Sequence, residues 1–298
     1  MNPVRHTEHL NNVSSKYDIH VENKAILTLF TTWISTPEKY DCHNNTLFNW
    51  NSLKPLVQPV LFTNDIASKN EALQKGWQVL PLGVTRTKYE VPVLRYMYMD
   101  VMKISSSPLL AYANGDILFT SNLIVTLQSL LNDIKTNNIS QTNPLLMIGQ
   151  RTNVKSVALE EIQTSYKMHL MAKTRGKLFS AWGEDYFITS RNYPWKTFPD
   201  VIIGRLAYDN WMVWNAKRLK FTTIDATKTL LAVHQTTKSG NMEGHHKPDN
   251  RYNTNLLRKT YKKLKYVAGL TICADYYSQY GSKSVLFLKR KLHRRCIP

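Results

Sequence analysis

Glycine and cysteine are both scarce in this 298-residue chain, at 11 and three residues. After the first apolar run the sequence reads Phe30-Thr31-Thr32-Trp33, with no glycine. That argues against the glycine-rich, basic phosphate loop that a nucleotidyltransferase usually carries there. Cys42, Cys273 and Cys296 are few, widely spaced and odd in number, so neither a disulfide framework nor a CxxC metal site is expected, and a reducing compartment is preferred. No stretch approaches the roughly 18 apolar residues of a membrane span. The opening residues from Met1 to His9 hold no apolar run of the signal-peptide kind. The expectation is a soluble, cytoplasmic protein, attached at most to the periphery of a membrane.

Acidic residues are also few. Asp and Glu number 21 against 39 Lys and Arg, a net charge of +18. Such a charge attracts something anionic: nucleic acid, a membrane surface or a phosphorylated ligand. The excess is uneven. From Lys247 to Pro298 there are 13 Lys and Arg against two Asp, which is +11 of the +18. A nucleic-acid-binding protein would spread its cations over a folded face among aromatics, so no nucleic-acid partner is expected. The stretch from Ser284 to Arg295 mixes an apolar run with clustered cations. That composition suits an interfacial segment on an anionic membrane surface.

What the chain does contain is a regular alternation of apolar runs and amphipathic stretches. Hydrophobic residues at 43% and charged residues at 20% fit a globular protein with a sizeable core. Strands are expected at 25–30, 57–62, 77–80 and 109–113. Helices are expected between them at 67–75, closed by Gly76, and at 91–103, where Leu94, Met97, Tyr98 and Val101 repeat at helical spacing. A further helix begins near Ser121. Such an alternation indicates an α/β domain with a mostly parallel sheet. Ligands of such sheets bind beyond the carboxyl ends of the strands. The polar stops Thr31-Thr32, Asn64-Asp65 and Asn114-Gly115-Asp116 would all lie there. The second half is less regular, with strands expected at 145–149, 185–189 and 230–234, helices at 157–171 and 209–217, and a loop over 236–252.

Asn114-Gly115-Asp116 is the sharpest feature. A carboxylate in a tight turn at the sheet rim can hold a hard divalent cation that bridges substrate phosphates, where one or two acids suffice. Gly115 would let the backbone approach closely. A plain Asn-Gly turn with a solvated Asp is the competing account.

This strand-Asn-Gly-Asp-Ile-Leu-Phe segment resembles the DxD region of GT-A glycosyltransferases, in the variant whose first acid is Asn. Downstream, Gly183-Glu184-Asp185-Tyr186-Phe187, then Phe198 to Arg205, then Tyr208-Asp209-Asn210-Trp211, and finally His234-Gln235, follow in the order familiar from such domains. The resemblance spans roughly residues 24–255. It implies a GT-A-like Rossmann-type sheet flanked by helices and an enzyme that moves a sugar from a nucleoside-diphosphate sugar, UDP-linked by preference, to the hydroxyl of a glycan or glycoconjugate. It further implies a divalent cofactor, Mn2+ or Mg2+, held by Asp116 and His234, with Asn114 reaching the ribose or a metal-bound water. Thr31, Thr32, Asn64, Asp65, Arg95, Asn114, Gly115, Asp116 and Glu184 would contact the nucleotide-sugar. Asp209 would be the base that deprotonates the acceptor, with inversion, and Asp185 or Glu184 its competitor. The motif here reads Tyr-Asp-Asn instead of x-Glu-Asp, so Asp209 as a helix cap stays open. Arg205 could hold the acceptor, Trp182, Trp211 and Trp214 could stack on sugars, and His245 and His246 lie on a loop suited to closure. The expected organisation is a loose arm over 1–22, the GT-A-like domain over 23–255 and a basic extension over 256–298.

Overall fold

The structure, a computed structural model, describes residues 24–298, so the arm expected over 1–22 lies outside the described residues. The main sheet is built from β1 (Leu27–Thr32), β2 (Val57–Phe62), β3 (Gln78–Leu80), β4 (Leu109–Ala113), β6 (Leu145–Ile148), β8 (Tyr186–Ser190), β9 (Thr222–Asp225), β11 (Tyr276–Tyr280) and β12 (Val285–Lys289). Their order is β12-β11-β9-β6-β8-β4-β1-β2-β3. A smaller sheet joins β5 (Ile117–Phe119), β10 (Ala232–Thr236), β7 (Arg151–Lys155) and the short pair Lys177–Leu178.

The central strands are buried on both faces, which is why they read as unbroken apolar runs. Phe30, Val60, Leu110 and Phe187 point to one layer, with α3 (Leu94–Ile104) and α6 (Tyr208–Arg218). Leu29, Leu61, Ala111 and Ile188 point to the other, with α1 (Tyr40–Asn51) and α4 (Asn122–Lys135). This is a mixed α/β fold, a large and mostly parallel sheet flanked by helices. Within α3 the four apolar residues at helical spacing are the four that are buried. Between β2 and β3, α2 (Ile66–Gln74) opens on Asp65, whose carboxylate accepts from Ser68 N at 2.9 Å, and ends at Gly76 with φ +71°.

Four sequence expectations change. The helix expected at 157–171 is a 3-10 turn, Leu159–Ile162, followed by α5 (Ser165–Arg175). Strand β8 runs antiparallel to both β4 and β6, which places its first residues, and Glu184-Asp185 before them, at the edge where β4 ends. The segment expected as a basic extension supplies β11 and β12, a hairpin that continues the main sheet past β9, with Val285 buried. Cys273 and Cys296 form a disulfide, where no disulfide framework was expected. Such a bond suits an oxidising compartment better than the reducing one expected. Among the described residues no helix is long and apolar enough to cross a membrane.

Candidate active site

A pocket of about 1210 Å³ opens where β1 and β4 end and β8 begins. Thr32, Asn114, Gly115, Asp116, Glu184, Asp185, Asp209 and His234 all line it. The antiparallel pairing of β10 with β5 sets His234 opposite Ile117, and Gln235 N donates to Asp116 O at 3.0 Å. His234 Nε2 therefore stands 3.5 Å from Asp116 Oδ2, and Lys39 Nζ 3.8 Å from the same oxygen. Burial works against ionisation of Asp116, but the fields of His234 and Lys39 outweigh it and hold the carboxyl well below its usual range. The other oxygen, Oδ1, is buried without a hydrogen-bond partner.

A buried carboxylate oxygen left unpaired is costly, and a cation or donor group is what would satisfy it. Among the described residues there is no cluster of three or more His, Cys, Asp or Glu side chains able to enclose a metal. Asp116 and His234 make an open pair, which fits a hard cation that takes its remaining oxygens from water and phosphate.

Asn114 is spent differently from the resemblance. Tyr112 Oη donates to its Oδ1 at 3.0 Å, and its Nδ2 donates to Asp185 Oδ1 at 2.8 Å. The amide thus ties the turn to Asp185. The other Asp185 oxygen is paired with Arg151, whose Nη2 reaches Asn241 O at 2.7 Å. A second carboxylate at 114 would meet Asp185 head-on. Asn114→Asp is expected to lower stability by about 1–3 kcal/mol at neutral pH, a loss that shrinks on acidification and is read by thermal melting at pH 8 and pH 5.

Gly115 is required by packing. A Cβ there would lie 2.7 Å from Trp33 Cε3, and Trp33 is itself stacked on His43 at 4.6 Å. Gly115→Ala is expected to cost about 1–3 kcal/mol and to loosen the turn that carries Asp116, measurable as a lower melting temperature.

Two further acids differ in character. Glu184 is 1% exposed; its Oε2 accepts from Asn210 Nδ2 at 2.8 Å and its Oε1 has no partner. Burial, then Asp209 nearby, pushes its carboxyl well up. Asp209 lies in the first turn of α6, whose cap is Ala207 in the left-handed region, so it is not the cap residue. Burial, then Asp185, raises Asp209 to about 7.

Several expected residues stand elsewhere. Arg95 is held by Asp200 at 2.6 Å, Asp65 caps α2, and Asn64 Oδ1 accepts from Leu82 N at 3.0 Å, all away from this pocket. Thr31 is buried and points under Gly115. Trp211 and Trp214 are core side chains, whereas Trp182 is 45% exposed at the pocket wall. Arg205 and His245 line the pocket; His246 does not.

Sequence reasoning missed Lys39, Arg151 and the contacts that hold the 237–247 segment. Lys39 also donates to Glu243 at 2.5 Å, and Glu38 accepts from Ser239 N and Oγ, so the 237–247 segment is tied down over the pocket. The signals were present: Pro37 opens the turn before α1, and Arg151 follows an apolar strand ending at the same sheet edge.

No family model matches the sequence. No curated protein matches it. Solved structures do share an outline. A mannosyltransferase from Pyrobaculum calidifontis, in complex with GDP-Man and Mn2+, is 10% identical with a TM-score of 0.41, covering 73% of this chain and 59% of its own. The chain thus spans well under two thirds of that protein. Glucosyl-3-phosphoglycerate synthase from Mycobacterium tuberculosis, in complex with Mn2+, UDP and phosphoglyceric acid, is 10% identical with a TM-score of 0.40, over 83% and 78%. CMP:2-keto-3-deoxy-manno-octonic acid synthetase with CTP is 9% identical with a TM-score of 0.36, over 80% and 98%. At these values none of the three assigns a substrate or a residue here.

Proposed function

We propose that the protein is a metal-assisted enzyme acting on a nucleoside-diphosphate substrate. More narrowly, it is a glycosyltransferase that moves a sugar from a nucleoside-diphosphate sugar, UDP-linked by preference, to the hydroxyl of a glycan or glycoconjugate. The observation that carries this reading is Asp116: ionised, with one buried oxygen unpartnered, beside His234 and in one pocket with Asp209. Asp116 and His234 would hold Mn2+ or Mg2+, which when bound neutralises charge on the departing diphosphate. Lys39 and Arg151 add positive charge to the same wall. Trp182, exposed at the rim, offers a flat apolar face to a sugar ring.

Asp209 is the acceptor base in this reading. An alcohol needs its proton removed as the new bond forms, and a carboxyl near pH 7 is matched to that work. Asp185 suits it less well, because both its oxygens are engaged by Asn114 and Arg151. A base on the acceptor side accords with inversion.

The test is a melting-temperature screen of UDP-, GDP- and other activated sugars with and without Mn2+, followed by assay of nucleoside diphosphate release. A ligand at about 100 times its Kd adds about 2.7 kcal/mol to stability, so the true donor should raise melting by several degrees and only with metal. Release of pyrophosphate from a nucleoside triphosphate would instead mark nucleotidyl transfer, and silence from every sugar nucleotide would sink the proposal.

A further inference from the structure

We propose that a face stapled by the Cys273–Cys296 disulfide docks this protein onto an anionic lipid surface, beside the mouth of the pocket. The disulfide brings the last residues back onto a segment some 23 positions earlier. The turn Tyr266–Gly269 packs against the turn Arg294–Cys296, and Lys265 Nζ donates to Ile297 O at 3.3 Å. Leu270, Cys273 and Cys296 form a small buried core under this junction, with Leu292 packed on it. Outward from it stand the exposed cations Lys262, Lys263, Lys265, Lys291, Arg294 and Arg295.

Two features distinguish this face from an ordinary solvated surface. From Asn250 to Pro298 the only acid is Asp275, and its carboxylate is taken by Lys217 and Thr223. The cations are therefore not neutralised within their own segment. Among them sit two exposed aliphatics, Val267 at 42% and Ile297 at 59%. A polyanionic chain offers nothing to an aliphatic side chain, whereas a lipid interface takes up both kinds at once. Of the apolar run expected to serve as the interfacial segment, Val285 is buried and Phe287 packs on the core, while Leu286 and Leu288 stay exposed at 44% and 37%. The lipid-facing residues of this face are those gathered by the disulfide.

The face is rigidly joined to the pocket. A Cβ at Gly269 would fall 1.8 Å from Asn210 O, so this turn lies directly on the backbone of α6, one residue from Asp209. Tyr266 from the same turn lines the pocket. Docking would present the pocket mouth to molecules held in or near the membrane. Charge, exposure and packing define this face whether or not the glycosyltransferase reading holds.

Co-sedimentation of the full chain with vesicles tests it, using phosphatidylcholine alone and phosphatidylcholine mixed with phosphatidylglycerol. Binding is expected only to the mixed vesicles and is expected to weaken as salt rises. The variant Lys265→Glu/Arg294→Glu/Arg295→Glu should bind roughly a hundredfold more weakly, each cation near an anionic surface contributing a factor of about five. A second variant, Val267→Ser/Ile297→Ser, keeps the charge and the disulfide and should bind several-fold more weakly with unchanged melting. Vesicle binding that ignores the triple variant overturns the proposal. So does a pattern in which heparin is bound, lipid is not, and the two serines change nothing, because the face would then serve a polyanion.

Discussion

Asp116→Ala is expected to abolish the metal-dependent part of nucleotide-sugar binding and to lower kcat/KM roughly a thousandfold, the scale of the several kcal/mol a bound cation contributes to charge on a leaving diphosphate. The carboxylate is the one group in the pocket that combines a depressed pKa with an unpartnered buried oxygen. The alanine variant should remain folded. It removes a desolvated charge, although Lys39 and His234 lose an anion and are then held to the wall by Glu243 and Thr236. The measurement is calorimetric titration of UDP-sugar at fixed Mn2+, alongside the same titration without metal. In the parent the two should differ widely; in the variant they should coincide. A variant that still binds more tightly with Mn2+ would show that the cation sits elsewhere.

Asp209→Asn is expected to separate activity from stability. As the acceptor base, Asp209 should account for about 10²–10⁴ in kcat, with KM changed little, because the amide keeps the shape of the pocket wall. The pH dependence follows from a folded pKa of about 7 against an ordinary 3.8. Only the ionised carboxylate accepts a proton, so kcat in the parent should climb about tenfold per pH unit below 7 and level off above it. The residual rate of the variant should lack that limb.

Stability runs the other way. A carboxyl whose pKa rises on folding favours the folded state when protonated, so the contribution of Asp209 is fully present below pH 3.8 and is lost as pH rises through about 7. The asparagine variant escapes this loss. It should therefore melt higher than the parent at pH 8, by on the order of 1 kcal/mol, with the difference fading on acidification. An inactive variant that is also less stable at pH 8 would instead make Asp209 a structural residue.

The reading of the chain from its residues was closest where burial alone shapes the pattern. The strands at 57–62 and 109–113 coincide residue for residue with β2 and β4, and the four apolar positions of α3 are its buried ones. A strand covered on both faces has to be apolar throughout, and a helix covered on one has to repeat at helical spacing. Asn114, Gly115 and Asp116, directly after an apolar strand, line the pocket at the sheet edge for a related reason, whereas Glu184, Asp185, Asp209 and His234 were expected from the resemblance and not from this rule. The same rule overreached at Asn64 and Asp65, where the polar stop begins a helix and caps it.

Other features depend on partners that no local pattern names. An apolar run does not say which neighbour it will pair with or in which direction, so the antiparallel course of β8 and the pairing of β10 with β5 came only with the assembled sheet. Those two pairings are what carry Asp185 to Asn114 and His234 to Asp116. Ion pairs such as Arg151 with Asp185, and the bond between Cys273 and Cys296, join residues that are far apart along the chain, and an odd cysteine count conceals such a bond.

By itself, then, the sequence determined the layered α/β body, the edge at which chemistry gathers and a strongly basic end, because periodicity and charge are written residue by residue. The tertiary structure decided the rest: which oxygen of Asp116 is left without a partner, which acid is desolvated enough to titrate near 7, and where the basic end lies. Each of these depends on the dielectric and the neighbours around an atom, and those exist only once distant segments have been packed together.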